Sequence, residues 1–212
     1  MWLDFKITDR CNNNCTYCFD KHISPNSKEK LNSLIIKKCL EHSIKVGFKK
    51  IALFGGEPSL RDDLHFIINN LSLPHKNDIT LFFISNGVNF NHEVIETIFN
   101  SKFKHVVYVQ SLDSLKSPNY KNQEVDKILE AIFFTKSLCN KYNNPFQKRN
   151  IEIHTVISRE NIYDIYNFVN LFYRHSIEVG LGIVKQSSFI ETITSETIFN
   201  QFYFKDIDVI IN

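Results

Sequence analysis

The sequence predicts an α/β fold, an incomplete (β/α)6 parallel barrel open on one side, and three observations carry that prediction. The hydrophobic period switches six times between a short strand-like run and a helical stripe. A helical stripe separates every pair of strand-like runs, so the strands cannot be joined as hairpins and right-handed parallel crossovers are the economical alternative. The 27 residues after Lys185 hold at most one more helix and one more strand, too little to close an eight-stranded barrel.

The first strand alternates through Leu3, Phe5 and Ile7, and Leu31, Leu34 and Ile35 mark the helix behind it. The second strand is Ile51 to Phe54, with Leu64, Ile67, Ile68 and Leu71 at i, i+3, i+4 and i+7 and with Asp62 or Asp63 placed to cap that helix. Ile79 to Ile84 precede a helix near Val94 to Phe99. Val106 to Val109 precede the stripe Val125, Ile128, Leu129, Ile132 and Phe133. Ile151 to Ile157 lead to Ile162, Ile165, Tyr166 and Val169 behind an Asn161 cap, and Ile177 to Ile183 form the last strand. One core domain over 1–186 is expected, with a short tail over 187–212 carrying a helix at Ile198, Phe199 and Phe202 and an alternating run at Ile207, Val209 and Ile211.

Composition narrows the function. A chain of 212 residues, 43% hydrophobic, suits one sizeable core. Its 25 basic and 23 acidic side chains, without a run of five like charges, lack the footprint of a nucleic-acid or membrane-surface binder. No apolar stretch reaches the roughly 20 residues that span a bilayer, and no basic-then-apolar leader opens the sequence, so a cytoplasmic protein acting on a small molecule or one specific partner is expected.

Three of the five cysteines fall within residues 11–18, CNNNCTYC, while Cys39 and Cys139 stand alone at helical positions and read as buried small hydrophobes. Closely spaced thiols in a reducing compartment read first as metal or cluster ligands. The CxxxCxxC spacing lets one loop hold three corners of a cubane cluster and leave the fourth iron open to a ligand. The same loop also suits a Cys3His zinc site completed by His22. In parallel α/β folds the functional loops leave the C-terminal ends of strands. There the sequence places the cysteines, then Gly55-Gly56-Glu57-Pro58, Ser85-Asn86-Gly87 and Ser111-Leu112-Asp113-Ser114.

The phrases FKITDRCNNNCTYCF and LFGGEPSLRDDL resemble the radical S-adenosylmethionine (SAM) superfamily, in the branch with molybdenum-cofactor synthesis and peptide-modifying enzymes, over roughly residues 3 to 185. The resemblance implies a partial TIM barrel whose [4Fe-4S] cluster sits on Cys11, Cys15 and Cys18. Its open iron would chelate SAM and cleave it to methionine and a 5′-deoxyadenosyl radical. It implies Tyr17 near the adenine and Gly55, Gly56 and Glu57 receiving the SAM ammonium. Ser85, Asn86, Ser111 and Asp113 would face the ribose and methionine ends, with Arg159 pairing with the SAM carboxylate. His154 and Lys185, with Gln186, stand where they could face substrate inside the barrel.

The resemblance also implies a peptide or small-molecule substrate and an external electron donor such as flavodoxin or ferredoxin. Because no cysteine follows Cys139, a single cluster is expected, without the auxiliary-cluster extension of many peptide-modifying relatives. A glycyl-radical activating enzyme or a purine-analogue synthase of the same superfamily is the alternative. A zinc-binding module or an iron–sulfur electron carrier would be a different class altogether.

Overall fold

A computed structural model of the chain describes residues 1–15, 17, 18, 20, 24–69, 78–116, 122–158 and 160–183. Six strands alternate with five α-helices: β1 (Trp2–Thr8), α1 (Ser33–Lys45), β2 (Lys50–Gly55), α2 (Leu64–Asn69), β3 (Thr80–Ser85), α3 (His92–Phe99), β4 (His105–Ser111), α4 (Asn122–Tyr142), β5 (Lys148–Ile157), α5 (Ile165–Tyr173) and β6 (Glu178–Ile183). A 3-10 turn, Pro58–Leu60, follows β2. All strands are parallel and lie in chain order, β1 to β6, in one sheet. The predicted parallel architecture is therefore the observed one. The expected boundary at 186, Lys185, Gln186 and the tail 187–212 lie outside the described residues.

Alternation along the strands assigns the two faces. Ile51, Leu81, Val106 and Arg149 lie in register on one face, followed by Leu53, Phe83, Tyr108 and Ile151, and all are buried under the helices. The other, inner face carries Trp2, Asp4 and Lys6 on β1, Phe82 on β3, Asn150, Glu152 and His154 on β5, and Glu178 and Gly180 on β6. Trp2 packs on Phe82 at 4.7 Å between ring centroids, above the small side chain of Ala52.

Three local expectations are corrected. Asn32 caps α1 by accepting from the Ile35 amide at 2.9 Å. That start turns Ile36, Leu40 and Ile44 inward and leaves Leu34 and Ile35 at 51% and 43% exposure. Cys39 precedes the buried Leu40 and is exposed, whereas Cys139 is buried as expected. Asp62 is fully exposed, and Asp63, the residue directly before α2, has its carboxylate bound by Arg61. Asp164, not Asn161, stands at the N-cap of α5, without a side-chain cap bond. Position 71 lies outside the described residues.

Arg149 is the largest fully buried side chain among the described residues. Its guanidinium donates to the carbonyls of Phe99, Ser101, Phe103 and Lys148 at 2.6 to 3.2 Å, which ties the end of α3 and the turn after it to the start of β5.

Candidate active site

The C-terminal ends of β1 to β4 converge on one rim, and close backbone packing brings them together. The amides of Gly56 and Glu57 donate to the carbonyls of Thr8 and Arg10 at 2.9 and 2.6 Å, which lays the turn after β2 against the start of the cysteine loop. A β-carbon on Gly55 would stand 2.6 Å from the Thr8 carbonyl oxygen. One on Gly56 would stand 2.2 Å from that of Arg10 and 2.9 Å from the Cys11 β-carbon. Both glycines are thus required by contact with the chain's own loop.

Cys11 is buried, Cys15 and Cys18 are half-buried, and the Asn13 amide donates to the Cys11 sulfur at 3.4 Å. Burial raises the Cys11 thiol and pushes Cys15 up to about 11, and the charges that add to this rise are those of Asp113, Glu57 and the neighbouring cysteines. Soft donors gathered among negative charge fit a cationic iron group that would hold them as thiolates. Among the described residues no three His, Cys, Asp or Glu side chains converge on one ion position. A cubane does not require that, because each thiolate binds its own iron. His22 lies outside the described residues.

Glu57 is 0% exposed. One carboxylate oxygen accepts from the Ser59 amide at 3.0 Å and the Ser85 hydroxyl at 2.8 Å, and the other accepts from the Asn86 amide at 2.6 Å. Burial raises its carboxyl while these donors pull the other way. The side chain thereby joins the turn after β2 to the turn after β3. Asn86 reaches on to the cysteine loop, donating from Nδ2 to Asn12 Oδ1 at 2.8 Å.

Asp113 plays the matching part on the other side. Its carboxylate accepts from the Tyr17 hydroxyl and from the Val156 amide, the latter at 2.9 Å, and burial raises its carboxyl. Asn161, buried and overlooked as a mere cap, donates to the carbonyls of Asp113 and Val156 at 2.8 and 2.9 Å and accepts from the Ser158 amide at 2.8 Å. A cavity of about 240 Å³ opens beside Asp113, with Ser114, Leu115, Asn161 and Phe168 among its walls. Tyr17, Asp113 and Asn161 so connect the cysteine loop with the ends of β4 and β5.

Ser111 pairs in register with His154. His154 does point to the inner face, more than half exposed, with Nε2 3.6 Å from the Glu152 carboxylate. Gly180 beside it leaves room for the ring, since a β-carbon there would meet the imidazole at 3.0 Å. Arg159 lies outside the described residues. Gln110 and Asn161 are the residues that sequence reasoning passed over. Asn161 carried a signal in the polar step Ser-Arg-Glu-Asn after an apolar strand, and Gln110 carried one as the single amide in the apolar run of β4.

Comparison with known proteins identifies the family. Residues 5–146 match the model of the radical SAM superfamily. A GTP 3′,8-cyclase of Clostridium perfringens is 30% identical over 188 residues, covering 84% of this chain and 53% of the relative. One from Aquifex aeolicus is 29% identical over 212 residues, covering 93% and 62%. The chain thus spans about half to three-fifths of the length of the curated relatives it matches. Among solved structures, Streptococcus suis SuiB bound to S-adenosylmethionine superposes with a TM-score of 0.70 at 17% identity, covering 99% of this chain and 45% of that one. Native anSMEcpe with bound AdoMet and Kp18Cys peptide gives 0.69 at 16% identity, covering 99% and 57%. At that identity they share the fold, a partial TIM barrel. The chain belongs to the radical SAM superfamily, which implies SAM and an iron–sulfur cluster as its cofactors.

Proposed function

We propose that this chain cleaves SAM reductively at the rim formed by Cys11, Cys15, Cys18 and Gly55-Gly56-Glu57, and that the product abstracts hydrogen from a substrate on the inner face of the sheet. The packing of Gly56 against Arg10 and Cys11 carries this reading, because it sets the two family motifs in contact. When bound, a [4Fe-4S] cluster and SAM supply a 5′-deoxyadenosyl radical. The three cysteines would hold the cluster. The turns 55–57, 85–86 and 111–113, with Tyr17 and Arg159, would seat SAM. Glu57 and Asp113 serve that seat by fixing the turns, since their carboxylates are engaged by donors of the protein itself.

The inner face speaks to the substrate. Asp4, Glu152 and Glu178 bring negative charge there. Lys6 is paired with Asp9 and Asp20, and Lys50 lies over the Trp2 ring at 5.8 Å. Lys148 shares that face, in register with His105, so charges of both signs line it, and a peptide or a small metabolite is the substrate class read first. A purine nucleotide is the second reading, favoured by the naming of the curated relatives as GTP 3′,8-cyclases. An external flavodoxin or ferredoxin would supply the electron.

The test is anaerobic reconstitution with iron and sulfide, followed by a strong reductant and SAM. About four irons per chain and slow release of 5′-deoxyadenosine and methionine are expected. Stoichiometric zinc under those conditions, or a cluster whose spectrum ignores SAM, would sink the reading. Deuterium transfer into 5′-deoxyadenosine from labelled peptide or labelled GTP decides the substrate class.

A further inference from the structure

Backbone pairing between β3 and β4 ends at Ser85 opposite Gln110. Beyond that pair the chains part into the two turns assigned above to SAM, and one side chain spans the parting. Gln110 is wholly buried. Its Nε2 donates to the Ser111 carbonyl at 3.1 Å and to the Ser85 carbonyl at 3.5 Å, the second at the long limit of a hydrogen bond. Its amide also forms the floor under Gly87: a β-carbon there would stand 2.4 Å from Oε1 and 2.7 Å from Nε2. With φ at +71°, Gly87 is required by backbone as well as by space.

Oε1 has no hydrogen-bond partner among the described residues, an unfavourable state for a buried carbonyl. An apolar side chain of equal length would avoid that cost, and what it would forfeit is the bridge between the turns. We propose that Gln110 is a positioning residue: it sets the spacing of the turns after β3 and β4 and through them the seat of SAM. This rests on the assignment of SAM to that rim.

Methionine at 110 keeps the length and removes the donor, whereas asparagine keeps the amide and loses the reach. Reconstituted wild type, Q110M and Q110N are compared by equilibrium dialysis with SAM. Hydrogen exchange at the Gly87 and Val88 amides is followed in the same proteins without SAM. The expected result is unchanged iron content and a five- to tenfold weaker SAM affinity, roughly the loss of one hydrogen bond. Exchange at Gly87 and Val88 should quicken, while the Val106 and Tyr108 amides inside β4 keep their protection. If Q110M does not fold, Q110N is judged on the same terms.

A folded variant with wild-type SAM affinity and wild-type exchange at 87 and 88 overturns the proposal. Failure of both variants to fold overturns it too, in favour of a plain core role. Wild-type protein that loads iron but ignores SAM would instead overturn the SAM assignment, and the exchange data would still decide whether Gln110 bridges the turns.

Discussion

The hydroxyl of Tyr17 donates to the carboxylate of Asp113, 96 residues further along the chain, and so fastens the loop between Cys15 and Cys18 to the end of β4. Tyr17→Phe should loosen that attachment and leave the buried Asp113 with the Val156 amide as donor. A loss of about 1–3 kcal/mol is expected in urea unfolding of the apoprotein. In a double-mutant cycle with Asp113→Asn the two changes should be non-additive. Full additivity would mean the contact contributes nothing.

Iron uptake should separate the cysteines into two groups. Replacing Cys11, Cys15 and Cys18 together with Ala is expected to abolish the brown colour and iron content on reconstitution. Cys39→Ala changes an exposed thiol and Cys139→Ala a buried one, and both variants should still load about four irons. Loss of the cluster in either would show that the ligand set is wrong.

Glu57 should make its mark on the pH dependence of stability. Its folded carboxyl lies above the ordinary value of 4.5 because burial opposes its charge, so the folded state holds the proton longer than the unfolded chain. Its contribution is therefore most favourable below about pH 4.5 and declines as pH rises through the folded value. In Glu57→Gln that decline should vanish from a series of urea titrations taken at successive pH values. The same variant should weaken SAM binding, since an amide cannot accept from Ser85, Ser59 and Asn86 at once, with iron content unchanged.

Arg149 offers a test of the scaffold apart from the chemistry. Arg149→Met keeps much of the buried volume and strips donors from four carbonyls. A destabilisation on the order of 3 kcal/mol is expected from thermal or urea unfolding. A variant as stable as the wild type would show that those carbonyls find other partners.

The repeating strand and helix pattern was legible because each unit buries a periodic apolar stripe, as at Leu64, Ile67 and Ile68. Helix phase was less so: Leu34 and Ile35 are as apolar as Ile36 and Leu40, and the cap at Asn32 decides which pair turns inward. The rim motifs stood out through their unusual composition. The actual work of Glu57, Asp113 and Asn161 was hidden, because each acts on donors or carbonyls of a loop distant in sequence and nothing local announces the partner. Arg149 and Gln110 escaped for the same reason, as polar residues on faces that alternation assigns to the core.

The strand order has a consequence for how the protein comes into being. Because each strand lies beside its predecessor, the sheet can grow at one edge as the chain leaves the ribosome, with no strand among the described residues waiting to be inserted between two others. The cysteine loop emerges first. It meets Gly56 and Glu57 about forty residues later, and Asp113 only after about a hundred. For that interval at the ribosome the three thiols stand on an unfinished scaffold, so a nascent chain is expected to take up its iron late, once β4 has closed over Tyr17.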